Sequence, residues 1–228
     1  MQHAHVGGWA REAYVPAEIQ NSVRDLNHRF LDLLAERQGG WNMPGRGLSL
    51  PARIAPLSAA QKSAAADCPY ALFDLRFHDD GHWRTRLRDP APGGSVAEGA
   101  AVDGKTLEFA RLALFFAWHV ASTTKLAPQL LLGMHEATAA AFREATIDRL
   151  PSLAATEAAH LTARWNDCTP YWSALTGAAS GGDRASLRRI QLYGLQLAAA
   201  ARLGSTGPAE DPKPWEHRVQ LRGVPREV

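Results

Sequence analysis

The residue types best able to do chemistry crowd into one short run, His78-Asp79-Asp80-Gly81-His82. Imidazoles and carboxylates in one turn offer the nitrogen and oxygen donors that hold a divalent cation. The run has no further spaced partner, such as an HExxH helix would supply, and acidic residues beside glycine also serve an ordinary strand-to-helix turn. A solvated turn is therefore the favoured reading. His78, Asp79, Asp80 and His82 stay as the weak candidate metal ligands, and neither a metal nor another cofactor is expected.

Arg164-Trp165-Asn166-Asp167-Cys168-Thr169-Pro170-Tyr171-Trp172 is the most unusual local composition in the chain. Cys168 could act as a nucleophile with His160 as its base, but nothing nearby supplies an oxyanion hole or an orienting third group. A helix corner anchored by the two tryptophans, with Cys168 as a small buried hydrophobe, accounts better for it. His119, within Phe115-Phe116-Ala117-Trp118-His119-Val120, reads as a hydrogen-bonded core histidine, with His135 a conceivable neighbour. No Walker loop, dinucleotide fingerprint, GxSxG elbow or kinase set is present, so no catalytic residue is assigned and the chain is read as non-enzymatic.

Basic residues form local clusters at Arg84-Thr85-Arg86-Leu87-Arg88 and at Arg184 with Arg188-Arg189. The second lies along one edge of a helix start, the part that helix-turn-helix proteins insert into a DNA groove, and Ser180-Gly181-Gly182-Asp183 ahead of it could make the turn. Arg184, Arg188 and Arg189 are therefore the DNA-contact candidates. Their competing reading is an ordinary solvated helix face.

The totals constrain what can surround these residues. The chain has 228 residues, 46% apolar and 21% charged, close to the average for folded proteins, so a real core is expected. A formal net charge of +2 gives no global field toward polyanions, which leaves only a local patch to bind them. Cys68 and Cys168 sit in no CxxC pattern, which argues against a disulfide scaffold or thiolate zinc site and for a reducing compartment. The N-terminal run Met1 to Trp9 has no basic segment followed by an apolar one, so no secretory leader is expected and the cytoplasm is the default location. Leu112 to Val120 is far shorter than the roughly 20 apolar residues that span a bilayer. It reads as a buried helix, and no membrane partner is expected.

A mainly α fold follows, with an N-terminal helical unit containing one short strand and a C-terminal bundle of about five helices. Pro16 opens a helix whose Ile19, Val23, Leu26, Phe30, Leu33 and Leu34 recur at helical spacing as far as about Arg37, where Gly39-Gly40 stops it. Asn42 to Pro56 reads as loop or short helix. Ser58 and Gln61 have capping-box spacing for a helix over 59–66, and Tyr70 to Phe77 alternates with period two, as a strand does. Residues 1–89 form the first unit and 90–104, rich in Pro, Gly, Ala and Ser, a linker. The bundle of 105–204 has helices predicted over 106–123, 128–149, 151–165, 170–179 and 183–203, followed by a 205–228 tail docked through Trp215.

The N-terminal third also resembles a known family. Asp25-Leu26-Asn27 in a long apolar helix, Gly47-Leu48, Ile54-Ala55-Pro56-Leu57-Ser58-Ala59-Ala60-Gln61 and Tyr70 to Asp79 together resemble the D subunit of the bacterial flagellar transcriptional activator. The resemblance covers about residues 19–80; members are about half this length and have no counterpart to 106–203. It implies a dimer built on the stripe of Leu26, Phe30 and Leu34, joined by Val23, and a role in transcription. The reading that results is a regulator that self-associates, as a homodimer or in a hetero-oligomer, and binds DNA or a partner protein. The alternatives are a helical adaptor without nucleic acid and, furthest behind, a metal-dependent enzyme.

Overall fold

The computed structural model describes residues 15–36, 49–88 and 102–204. Among them the chain is almost wholly helical: α1 (Ala17–Glu36), α2 (Leu50–Ile54), α3 (Ala59–Ala66), β1 (Phe73–Asp74), α4 (Asp80–Arg88), α5 (Gly104–Thr123), a π-turn (Pro128–Leu132), α6 (Glu136–Glu144), α7 (Leu150–Glu157), β2 (Thr162–Ala163), α8 (Thr169–Gly181) and α9 (Arg184–Gly204). The strands pair antiparallel, Phe73 opposite Ala163 and Asp74 opposite Thr162. No helix among the described residues is long and apolar enough to cross a membrane.

Local signals place most of these elements. The capping box at α3 is complete: Ser58 Oγ accepts from the Gln61 N–H at 3.3 Å, and Gln61 Oε1 accepts from the Ser58 N–H at 2.8 Å. Asp103 caps α5 in the same manner, taking the Thr106 N–H at 2.9 Å. Asp183 caps α9 by accepting from the Ala185 and Ser186 N–H groups.

α1 runs through the middle of the molecule and packs on α2, α3 and α5. Its stripe is not a dimer face. Val23, Phe30 and Leu34 are fully buried and Leu26 nearly so, all within their own chain, with Phe30 against the rings of Phe73 and Phe109 at 5.9 and 5.5 Å. A helix that crosses a core and a helix that meets a twin carry the same apolar period, and here the partner surfaces come from residues 50–77 and 106–117 of the same polypeptide. The buried side chains on either side of residue 90 form one continuous core from Ile19 to Leu187, without a seam between an N-terminal unit and a bundle. The expected stop at Gly39-Gly40, the Gly47-Leu48 segment, linker residues 90–101 and the tail with Trp215 lie outside the described residues.

Residues 70–77 depart most from expectation. Only Phe73 and Asp74 pair as strand, and the alternation fails because Tyr70, Ala71, Leu72, Phe73, Leu75 and Phe77 are all fully buried. The segment is threaded through the core, and its backbone polar groups must find partners there. The buried Asn27 of α1 supplies two of them and ties down the preceding turn: its Nδ2 donates to the carbonyls of Ala66 at 3.2 Å and Tyr70 at 2.8 Å, and its Oδ1 accepts from the Leu72 N–H at 2.8 Å. The Ala71 N–H donates to the Leu131 carbonyl and the Leu72 carbonyl accepts from the Arg164 N–H.

Those long-range bonds also break two helices that periodicity predicts as continuous. The stretch 128–149 is a π-turn, then Gly133 at φ +72°, then α6. The stretch 151–165 leaves α7 through a 3-10 turn, Ala158–His160, so that β2 can pair with β1. Asp80–Arg88, with its arginines, is a helix that the sequence reading did not predict.

Replacing Asn27 by alanine strands the Tyr70 carbonyl and the Leu72 N–H in the core, while the Ala66 carbonyl keeps the Cys68 N–H. At about 1 to 3 kcal/mol for each buried group left unsatisfied, the expected loss exceeds that of a Leu33→Ala control. Urea unfolding followed by circular dichroism measures it, and equal losses would show that the amide is not the tie.

Candidate functional site

The candidate metal ligands do not converge. His82 Nε2 lies 2.7 Å from Glu157 Oε2, Asp80 bonds to Thr138 Oγ1 at 2.6 Å and to His135 at 3.3 Å, and His78 lies 3.5 Å from Asp74. Asp79 caps α4 by accepting the His82 N–H at 2.9 Å and pairs with Arg76. That backbone donor, more than the guanidinium, holds the Asp79 carboxyl below its ordinary range, and the hydrogen bond to Asp74 holds the His78 imidazole above its own. No group of three His, Cys, Asp or Glu side chains among the described residues comes together as a metal set. His135 faces Asp80 and not His119, and His119 is exposed instead of buried.

Sequence reasoning missed Glu157, which is fully buried at the end of α7. Its carboxylate draws in His82 at 2.7 Å and Arg86 Nε at 3.1 Å, tying α4 to α7. A lone glutamate in an apolar helix is the one signal that could have flagged it.

The tryptophan corner is a packing centre, as expected, but more than that. Tyr70, Trp165 and Tyr171 meet edge to face at 5.4 and 5.1 Å, and the hydroxyls of Tyr70 and Tyr171 are 3.2 Å apart in the core. Burial pushes the neighbouring Cys68 thiol up to about 12 and the phenols above their usual range, so all three stay neutral. Gly194 of α9 lies against this trio so closely that a Cβ there would come 1.9 Å from the Tyr70 oxygen. Cys168 is half-buried beside Tyr193.

Next to this centre opens a cleft of about 600 Å³, lined by Asp74, Arg76, His160, Thr162, Arg164 and Trp165 among others, with Ala201 of α9 at its edge. Arg76 and Trp165 are the two non-glycine residues with positive φ among those described, at 57° and 53°. Left-handed backbone costs about 1 to 2 kcal/mol for such residues. Arg164 is 7% exposed although it carries a full charge. Its Nη1 donates to the Leu131 carbonyl at 2.9 Å, its backbone carbonyl accepts from Trp172 Nε1 at 3.0 Å, and its guanidinium stacks 4.6 Å from the centre of the Trp165 ring.

The DNA-contact candidates sit elsewhere, at the start of α9. Arg184, Arg188 and Arg189 are exposed, and Arg189 donates to Ser186 Oγ at 2.8 Å. Gly182, at φ +66°, turns α8 into α9. Further along the same exposed side as Arg184 and Arg188 stand Leu192, 61% exposed, and Leu195, 37% exposed, while Leu187, Gly194 and Ala198 face the core. Comparison with known proteins finds no protein family, no curated protein and no solved structure that matches the chain.

Substituting Glu157 by alanine leaves Arg86 without its buried counter-charge and His82 without its hydrogen-bond partner. Breaking a buried pair from one side costs about 3 to 5 kcal/mol, whereas Glu157→Gln, which keeps the hydrogen-bonding shape, costs less. Chemical denaturation of the two variants checks the order, and a reversed order would mean that packing, not charge, holds α4 on α7.

Proposed function

We propose that the protein is a non-enzymatic regulator that binds duplex DNA through α9. The observation that carries this reading is the exposure of Arg184, Arg188 and Arg189 on the first turns of a helix that packs by one side only, with no ion pair to any of them among the described residues. The α8–Gly182–α9 hairpin supports it, because a helix entered by a tight glycine turn presents its N-terminal side chains outward. Guanidinium groups on that edge match phosphate geometry, and apolar side chains further along a groove-bound helix have thymine methyl groups to meet.

A second reading is favoured by Leu192 and Leu195, which form an exposed apolar stripe next to those arginines. With the α1 stripe consumed by the core, this is the surface on which a second copy of the chain would seat, and the resemblance to a dimeric activator subunit points the same way. Under this reading Leu192→Asp converts a dimer to a monomer in light scattering with the fold unchanged. A chain that is monomeric already rejects it.

The DNA reading is tested by binding to a generic duplex across a salt series. Affinity should fall steeply with salt as counterions are released, and changing Arg184, Arg188 and Arg189 together to alanine should reduce the slope by about 3, near one unit per phosphate contact. A wild type with no salt-dependent binding, or a triple variant with the same slope, removes α9 as a DNA reader.

A further inference from the structure

We propose that the cleft beside β1 and β2 is a binding site for a small organic anion, whose carboxylate or phosphate is received by Nε and Nη2 of Arg164. The volume of about 600 Å³ suits a small ligand. What gives the cleft its chemistry is the state of the arginine. Nη1 is the atom of its guanidinium with a protein acceptor, the Leu131 carbonyl. Nε and Nη2 have no hydrogen-bond partner among the described residues, and no fully buried side-chain nitrogen or oxygen there lacks one, so these atoms keep some accessible surface in a residue that lines the cleft. They form the adjacent pair of donors on one edge of a planar group, the fork that carboxylates and phosphates accept in two parallel bonds.

The surroundings hold that fork in place. The Arg164 N–H is tied to the Leu72 carbonyl, its own carbonyl to Trp172 Nε1, and its plane to the Trp165 ring. Gly133, at φ +72°, leaves room for the group: a Cβ there would come 2.7 Å from Nη2. A charge this buried is costly unless something compensates it, and no carboxylate among the described residues is ion-paired with it. Asp74 is the nearest acidic influence, but its oxygens are already turned to the Phe77 N–H at 3.1 Å and to His78 at 3.5 Å. Of the other ionisable groups lining the cleft, Arg76 is engaged by Asp79, Asp167 and His78 are exposed, and His160 is half-buried. The site therefore offers one desolvated positive fork, with Thr162 and His160 as nearby hydrogen-bonding groups. Ala201 at the edge places α9 beside whatever enters.

The test titrates full-length protein separately with inorganic phosphate and with succinate, against sodium chloride at matched ionic strength, reading the melting temperature and the heat of binding. A saturable rise with one of the two anions and not with chloride is expected, and the anion that produces it tells phosphate from carboxylate. Arg164→Lys, which keeps the charge but loses the fork, should weaken that binding about tenfold. Asp74→Asn keeps the acceptor for the Phe77 N–H while removing a like charge, and should tighten it. The second variant keeps the idea exposed if the first does not fold. Absence of saturable binding by both anions overturns the proposal, as does an affinity unchanged in Asp74→Asn or in a folded Arg164→Lys.

Discussion

A strand-like segment crosses the interior of this protein with little sheet beside it, and its backbone must be satisfied by side chains and by irregular turns. The amide of Asn27 meets the start of that demand, with hydrogen bonds to Ala66, Tyr70 and Leu72 that fix residues 66–72 against α1. Beyond it the segment reaches outward, Ala71 to the carbonyl of Leu131 and Leu72 to the N–H of Arg164, before pairing with β2. Those contacts interrupt what would otherwise be two long helices, and the interruptions form two walls of the cleft. A buried amide on the central helix and two long-range backbone bonds thus hold this irregular segment beside the arginine.

How much of this could be read from residues alone depends on the range of the interaction. Ends of helices set by neighbours a few positions away were legible: the capping pair at Ser58 and Gln61, the proline starts of α1 and α8, and the aspartate before α9. The helix breaks after Leu132 and after Glu157 were not, because the apolar period continues through both and the hydrogen-bond partners beside them, Ala71 and Leu72, lie dozens of residues away. The α1 stripe was visible as a stripe, but an apolar face carries no mark of whose surface covers it. For the candidate sites, Arg164 and the tryptophans around it stood out in composition and were taken as packing. That is true of Trp172 and Tyr171, yet it leaves out a charged group among them. Arginine inside a run of buried apolar positions, Leu161 and Ala163 on one side and Trp165 on the other, is the local pattern that betrays it.

α9 brings the surface features and the cleft together. It rests on α8, presses a glycine against Tyr70, lies beside the cleft at Ala201, and turns arginines and leucines outward. Its seat on the core rests on small positions, Ala198 and a Gly194 so close to Tyr70 that no side chain fits between them.

The two thiols have unequal standing. Cys68 is sealed beneath a pair of phenols in the core, while Cys168, half-buried, touches Tyr193 on α9. In the folded chain a mild alkylating reagent therefore meets the half-buried Cys168 before the sealed Cys68, and Cys168 is the one that lies against α9. Nature has in effect left one attachment point at the joint between the last two helices, where a fluorophore would report motion without any cysteine being added or removed.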